Sequence, residues 1–182
     1  MQSYPATVSS AITGAGSLIK QGTLTVRAGA TVSFSSTTTL WNKRFLLFGN
    51  GTTPNLFNYN GANTIVGPVT LVGNCVVGAA PPDRGTPASL RLSGRLDGSG
   101  GLTKVSADTL IPGGTNTYSG DTIVAAGALA LTGAGSITGS SNIIVNTGAT
   151  LDVSARTDGT HICNGQQLQC YTLREKKLAF TH

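Results

Sequence analysis

Three times the chain spells a valine, two small or polar residues, a glycine and an alanine, at 26–30, 124–128 and 145–149. Each copy stands between short segments in which apolar and polar residues alternate. The chemistry of the unit is readable. The valine ends a short strand with its side chain inward, two residues turn a corner, and glycine takes a backbone conformation closed to most other residues. From Val124 to Val145 the step is near one coil of a solenoid, ~20 residues. A longer echo aligns 14–34 with 133–153 and holds eight identities.

The alternating segments are 22–27, 69–72, 89–93, 122–124, 128–131, 142–145 and 149–153. Each carries period-two apolar positions and is bounded by Gly, Asn, Ser or Pro, which predicts a half-buried strand. No window before the tail has a helical period with a cap. Composition agrees. Gly, Thr, Ser and Asn supply 78 of the 182 residues, and the only Glu is Glu175. Such a chain is a poor helix former. It is also too rich in aliphatics, at 39% hydrophobic, for a disordered one. The expectation is an all-β β-solenoid whose strands pair with those above and below, ~4.8 Å apart. Val, Ile and Leu ladders fill it and Thr, Ser and Asn clothe it. At ~20 residues per coil, about eight coils are expected. The pattern holds over 1–160 and stops there, leaving 161–182 as an atypical tail.

The net charge is +5 with 10% charged residues. Only Lys43-Arg44 and Arg174-Glu175-Lys176-Lys177 cluster, so no dense basic stripe argues for nucleic acid. Cys75, Cys163 and Cys170 do not have zinc-site spacing. Cys75 reads as a small buried residue; Cys163 and Cys170 are either a local bridge in an exported chain or a free pair. The N-terminus does not read as an export signal, and no run of ~18 apolar residues predicts a membrane helix.

A longer motif lies at 98–131, GSGGLTKVSADTLIPGGTNTYSGDTIVAAGALAL. It resembles the autotransporter-associated β-strand repeat, also called the passenger-associated transport repeat. The matching residues are Gly98-Ser99-Gly100-Gly101-Leu102-Thr103-Lys104, Thr109-Leu110, Asn116-Thr117-Tyr118-Ser119-Gly120, Thr122, Val124, Gly127 and Leu131. Weaker likeness extends over 13–160 and includes Val145, Gly148 and Leu151. The resemblance implies a right-handed, single-stranded parallel β-helix in a secreted or surface-displayed passenger. Its repeats would assist export and folding without catalysis or a cofactor, and its partner would be the outer-membrane translocator barrel of the parent protein. Ser106 and Asp108 depart from family glycines. Pro112 replaces an inward aliphatic residue and is expected to weaken its coil, because proline cannot donate to a ladder. Tail residues 171–182 have no repeat character. They read as a truncated or frameshifted end, or as a helical cap on the last coil.

Two other functions leave weaker traces. Trp41, Phe45, Phe48, Phe57 and Tyr59 crowd into 41–59. They form either a platform for surface glycans or host ligands, with Trp41, Phe45 and Tyr59 as contacts, or an interior stack. A polysaccharide-degrading enzyme needs convergent carboxylates on one outer face. The intervals between Asp97, Asp108 and Asp121 do not require a common face, so no catalytic residue or metal ligand is assigned.

Overall fold

The structure, a computed structural model, describes residues 22–34, 39–40, 43–79, 88–157 and 177–179. Its strands are β1 (Thr23–Val26), β2 (Val32–Phe34), β3 (Thr39–Leu40), β4 (Arg44–Phe48), β5 (Pro54–Asn58), β6 (Ala62–Ile65), β7 (Val69–Val72), β8 (Asn74–Ala79), β9 (Ser89–Leu92), β10 (Leu96–Asp97), β11 (Gly101–Val105), β12 (Thr109–Pro112), β13 (Thr122–Val124), β14 (Ala128–Gly133), β15 (Ile143–Val145), β16 (Thr150–Arg156) and β17 (Lys177–Ala179). They form three sheets, and every pairing but the last is parallel. Sheet A runs β1-β4-β7-β10. Sheet B runs β2-β5-β8-β11-β13-β15. Sheet C runs β3-β6-β9-β12-β14-β16-β17. The chain visits the three in turn, which makes a β-solenoid.

Alternation decides what lies inside, because successive side chains of a strand point to opposite faces. Register then stacks like positions. On sheet A, Leu24, Phe45, Val69 and Leu96 form one inward ladder and Val26, Leu47 and Leu71 another. On sheet B, Cys75, Leu102, Thr122 and Ile143 align, and beside them Val32, Leu56, Val77, Lys104, Val124 and Val145. Leu90, Leu110, Leu129 and Leu151 make the sheet C ladder. At ~25 cal/mol per Å² of apolar surface, each fully buried Leu or Val in these ladders contributes about 1.5–3 kcal/mol.

The valine–glycine unit makes a corner each time. Val26, Val124 and Val145 end β1, β13 and β15, and Gly29, Gly127 and Gly148 have φ of 79°, 67° and 77°. In two copies the alanine amide closes the turn, Ala30 onto the Arg27 carbonyl and Ala149 onto that of Asn146. The third residue of such a turn needs positive φ, so glycine recurs there. The longer echo therefore repeats the corner and not the coil. Its first copy turns from sheet A to sheet B, whereas its counterpart turns from B to C. Only the echo between the last two copies is one full turn, with Val124 paired to Val145.

The other corners are built on columns of glycine. Gly49, Gly73, Gly100 and Gly120 stack between sheets A and B so tightly that a Cβ on Gly73 would lie 2.8 Å from the Gly49 carbonyl oxygen. A Cβ on Gly100 would overlap the Gly73 carbonyl, and one on Gly120 the backbone of Gly100. Gly67, Gly94 and Gly114 do the same between sheets C and A.

Two expectations change. Among the described residues the chain crosses sheet B six times, giving about five turns and not eight. Register shows why: turns differ in length, and the one from Val69 to Leu96 is longer than the one from Leu102 to Thr122. Pro112 stands where the sequence places a ladder-poor residue: it is the last residue of β12, buried and opposite Leu92, and pairing of β12 with β14 stops at Leu110. The described part of the tail is not helical: β17 is a strand, antiparallel to β16.

Candidate functional site

The family-like motif occupies somewhat more than one turn, and its residues lie between coils. A Cβ on Gly98 would overlap the Leu71 carbonyl, and one on Gly101 would stand 2.8 Å from the Asp121 carbonyl oxygen. Leu102, Leu110, Val124, Leu131 and Leu151 are core residues, and Val145 packs against them from the last turn. Asn116 accepts the Leu96 amide of the turn below, 2.9 Å away. Gly127 sits over Ser106 and Ala107, so any side chain there meets that backbone. Ser106 itself takes φ 72°, a conformation costly outside glycine.

Lys104 is the unexpected member. It is 1% exposed and stacked between Val77 and Val124. Its ammonium donates to the carbonyls of Val105 at 2.8 Å, Ser106 at 2.7 Å and Ala126 at 3.1 Å. All three of its donors are used, which a buried charge requires. The first two carbonyls belong to its own corner and the third to the corner of the next turn. Lys104 thus pins two successive corners together. Burial pulls its pKa down to about 8, partly opposed by Asp108. Burial likewise raises the Asp108 carboxyl, against the Ala88 amide and Lys104.

Tyr118 is the second interior polar device. It is 1% exposed. Its hydroxyl and that of Thr122 share a hydrogen bond at 2.5 Å, and Thr122 shares another with Ser140 at 2.5 Å. Burial raises the phenol pKa, while the hydroxyls of Ser140 and Thr122 oppose it. The chain of hydroxyls runs upward from the segment on β10 to the next turn, where regular strands of sheet A have ended. Each of these buried hydroxyls thereby finds a partner, as a buried polar group requires.

The outer surface divides the aromatic group. Phe45 is wholly buried on sheet A and makes no surface contact; the strand parity that aligns it with Leu24 and Val69 turns it inward. Trp41 lies outside the described residues. Tyr59 is 55% exposed. Its ring meets that of Phe57 edge-on at 4.9 Å. Phe57 lies over Gly78, beside Val105. The sequence signal for this pair was available: 57 and 59 share strand parity.

Among the described residues, Asp97, Asp108 and Asp121 do not converge. Asp97 sits on the outside of sheet A, held by Thr70 at 2.6 Å and Arg95 at 2.9 Å. Its partial burial raises the pKa, but these two partners outweigh it and hold it below the ordinary value. Asp108 is buried at a corner and Asp121 binds Asn142 at 2.8 Å. Among the described residues no three His, Cys, Asp or Glu group as a metal site would require. Cys75 is a buried free thiol whose pKa is raised by burial; Cys163 and Cys170 lie outside the described residues. Searches of protein-family models, curated proteins and solved structures find no match to this chain.

Proposed function

We propose that the chain is a structural, export-assisting β-helical segment of a secreted or surface-displayed autotransporter passenger. One observation supports this most: the motif residues Gly98, Gly101, Lys104, Asn116, Tyr118, Gly120 and Gly127 are spent on seating one turn against another. A turn finished outside the membrane offers the next a strand edge, an apolar floor and a fitted corner. Each added turn then stabilises its neighbour, as in nearest-neighbour solenoids. Folding of this kind opposes back-sliding of an emerging chain through a translocator barrel, the partner in this reading.

The test places the chain between an export signal and an outer-membrane translocator barrel. Gly127→Val, which clashes with the 106–107 corner, is expected to cut the protease-resistant surface product several-fold. Tyr59→Ser is expected to leave it unchanged. Equal surface display and protease resistance for Gly127→Val and the unmodified chain would falsify the reading.

A second reading is an adhesin-type module that binds a surface glycan, favoured by the exposed Tyr59 ring and its Phe57 neighbour. Aromatic faces carry large apolar area with a polar tip, which suits sugar rings. On a glycan array this reading expects a bound set that Tyr59→Ala weakens about tenfold, or ~1.4 kcal/mol. An array blank for the unmodified chain removes it.

A further inference from the structure

The outer face of sheet A collects charge that the sequence scatters. The alternation that buries Phe45, Leu47 and Leu96 turns Arg44, Leu46 and Asp97 outward. Register aligns Phe45 with Val69 and Val69 with Leu96. The residues just before them, Arg44, Pro68 and Arg95, therefore share one row. Its two arginines stand two strand spacings apart, about 10 Å. Arg27 follows Val26, the partner of Leu47, and so comes beside Phe48 at the other end of the face. Arg27, Arg44 and Arg95 are all exposed. Among the described residues, Asp97 is the only acid on the strands of this sheet. Arg95 holds it at 2.9 Å, and the charge of Arg44 acts on the same carboxylate. Three arginines against one aspartate leave the face positive.

The other two faces differ. On the strands of sheet B the only cation is Lys104, which is buried. On sheet C the exposed Arg91 has Thr64 and Ile111 as its row neighbours. The arginines of sheet A are separated by mixed surface: Leu46, Pro68 and Thr70, with Phe48 37% exposed beside them. A guanidinium presents parallel N–H donors that match a carboxylate in a two-point fork. A sugar ring offers what the mixed surface suits, apolar C–H faces edged by hydroxyls. Single-stranded nucleic acid calls instead for aromatic rings under successive bases, and the strands of this face turn only Phe48 outward.

We propose that the outer face of sheet A binds an acidic polysaccharide, with carboxylates held by Arg44 and Arg95 and sugar rings laid on Leu46 and Pro68. This surface is separate from the Tyr59 ring, which adjoins β5 on sheet B, and it stands apart from both readings above.

The experiment is isothermal titration calorimetry of the full chain against three probes. They are an oligoguluronate, built of uronic acid units; dextran, which has hydroxyls and no acid; and oligouridylate, a single-stranded RNA. The unmodified chain is expected to bind the oligoguluronate, to ignore dextran, and to bind the RNA about tenfold more weakly. Arg44→Gln and Arg95→Gln are each expected to weaken the oligoguluronate complex about fivefold. Arg91→Gln removes the same charge from sheet C, and Tyr59→Ala removes the exposed ring of sheet B. Each is expected to change the affinity by less than about twofold. All four side chains are exposed, and circular dichroism checks that each variant keeps its β-structure. The proposal is overturned if the oligoguluronate does not bind, if dextran binds as well, or if the RNA binds more tightly. An equal loss for Arg91→Gln also overturns it, by showing attraction to net charge alone. So does a loss on Tyr59→Ala that the sheet A variants do not share, which would place binding on sheet B.

Discussion

Gly100→Ala is expected to lower the melting temperature by about 10 °C, a loss of roughly 3 kcal/mol or more. Nothing but one methyl group is added. It would lie inside the Gly73 carbonyl and close to the backbone of Leu71 and Val72 in the turn below. Those atoms belong to paired strands and cannot swing aside as a flexible side chain would. To admit the methyl group, the turns must part at the sheet A to sheet B corner, which breaks the Gly100 amide bond to the Leu71 carbonyl and the Gly101 bond to Gly73. Gly49→Ala is expected to act alike, against Asn74. Gly133→Asn is the control: nothing lies within 4 Å of its Cβ position. Its φ of 58° is one that asparagine tolerates, so a change within ~1 kcal/mol is expected. Thermal denaturation followed by circular dichroism decides the matter. Equal melting temperatures for Gly100→Ala and Gly133→Asn would show that the column does not hold the corner.

The contrast between those glycines shows what the sequence discloses and what it hides. Period-two alternation and the valine–glycine corner are local, so the all-β class, the inward valines and the positive φ at Gly29, Gly127 and Gly148 are legible from the residues alone. The glycine columns are not. Gly49, Gly73, Gly100 and Gly120 recur at unequal intervals, which conceals that they share a corner. The same irregularity of turn length produced the overcount of coils. The aromatic group misleads for another reason. Nearness in sequence gathers Phe45 with Tyr59, but alternation sends Phe45 and Leu47 inward and leaves Phe48 outside. Which parity is inward depends on the partner, Leu24, more than on the run itself. Lys104 was legible as a motif residue but not as an interior one. A lysine in an alternating segment reads as solvent-facing unless the carbonyls that receive it are known, and one of them comes from the following turn.

That lysine carries the second large effect. Lys104→Ala is expected to lose about 3–5 kcal/mol at pH 7. The substitution opens a cavity in the Val77–Val124 ladder and strips hydrogen bonds from three carbonyls at once. Lys104→Met keeps the packing stem and separates the charge from the volume. Its signature is pH dependence. Folding lowers the pKa of Lys104 from 10.5 to about 8, so below pH 8 both states carry the proton and the group adds no slope. Between pH 8 and 10.5 the unfolded chain holds the proton and the folded one has released it. Stability therefore rises with pH through that window, by at most about 3 kcal/mol at ~1.36 kcal/mol per pKa unit. Two groups act in the opposite sense. Cys75 and Tyr118 have raised pKa values, so the unfolded chain loses their protons first and stability falls above about pH 9. Both remain in Lys104→Met, and they cancel when the two proteins are compared. Urea unfolding midpoints from about pH 7 to 10 are expected to diverge, with the unmodified chain gaining on Lys104→Met as pH rises. Parallel curves would mean that folding leaves the Lys104 pKa unshifted, so that its ammonium is not desolvated between the corners of Ser106 and Ala126.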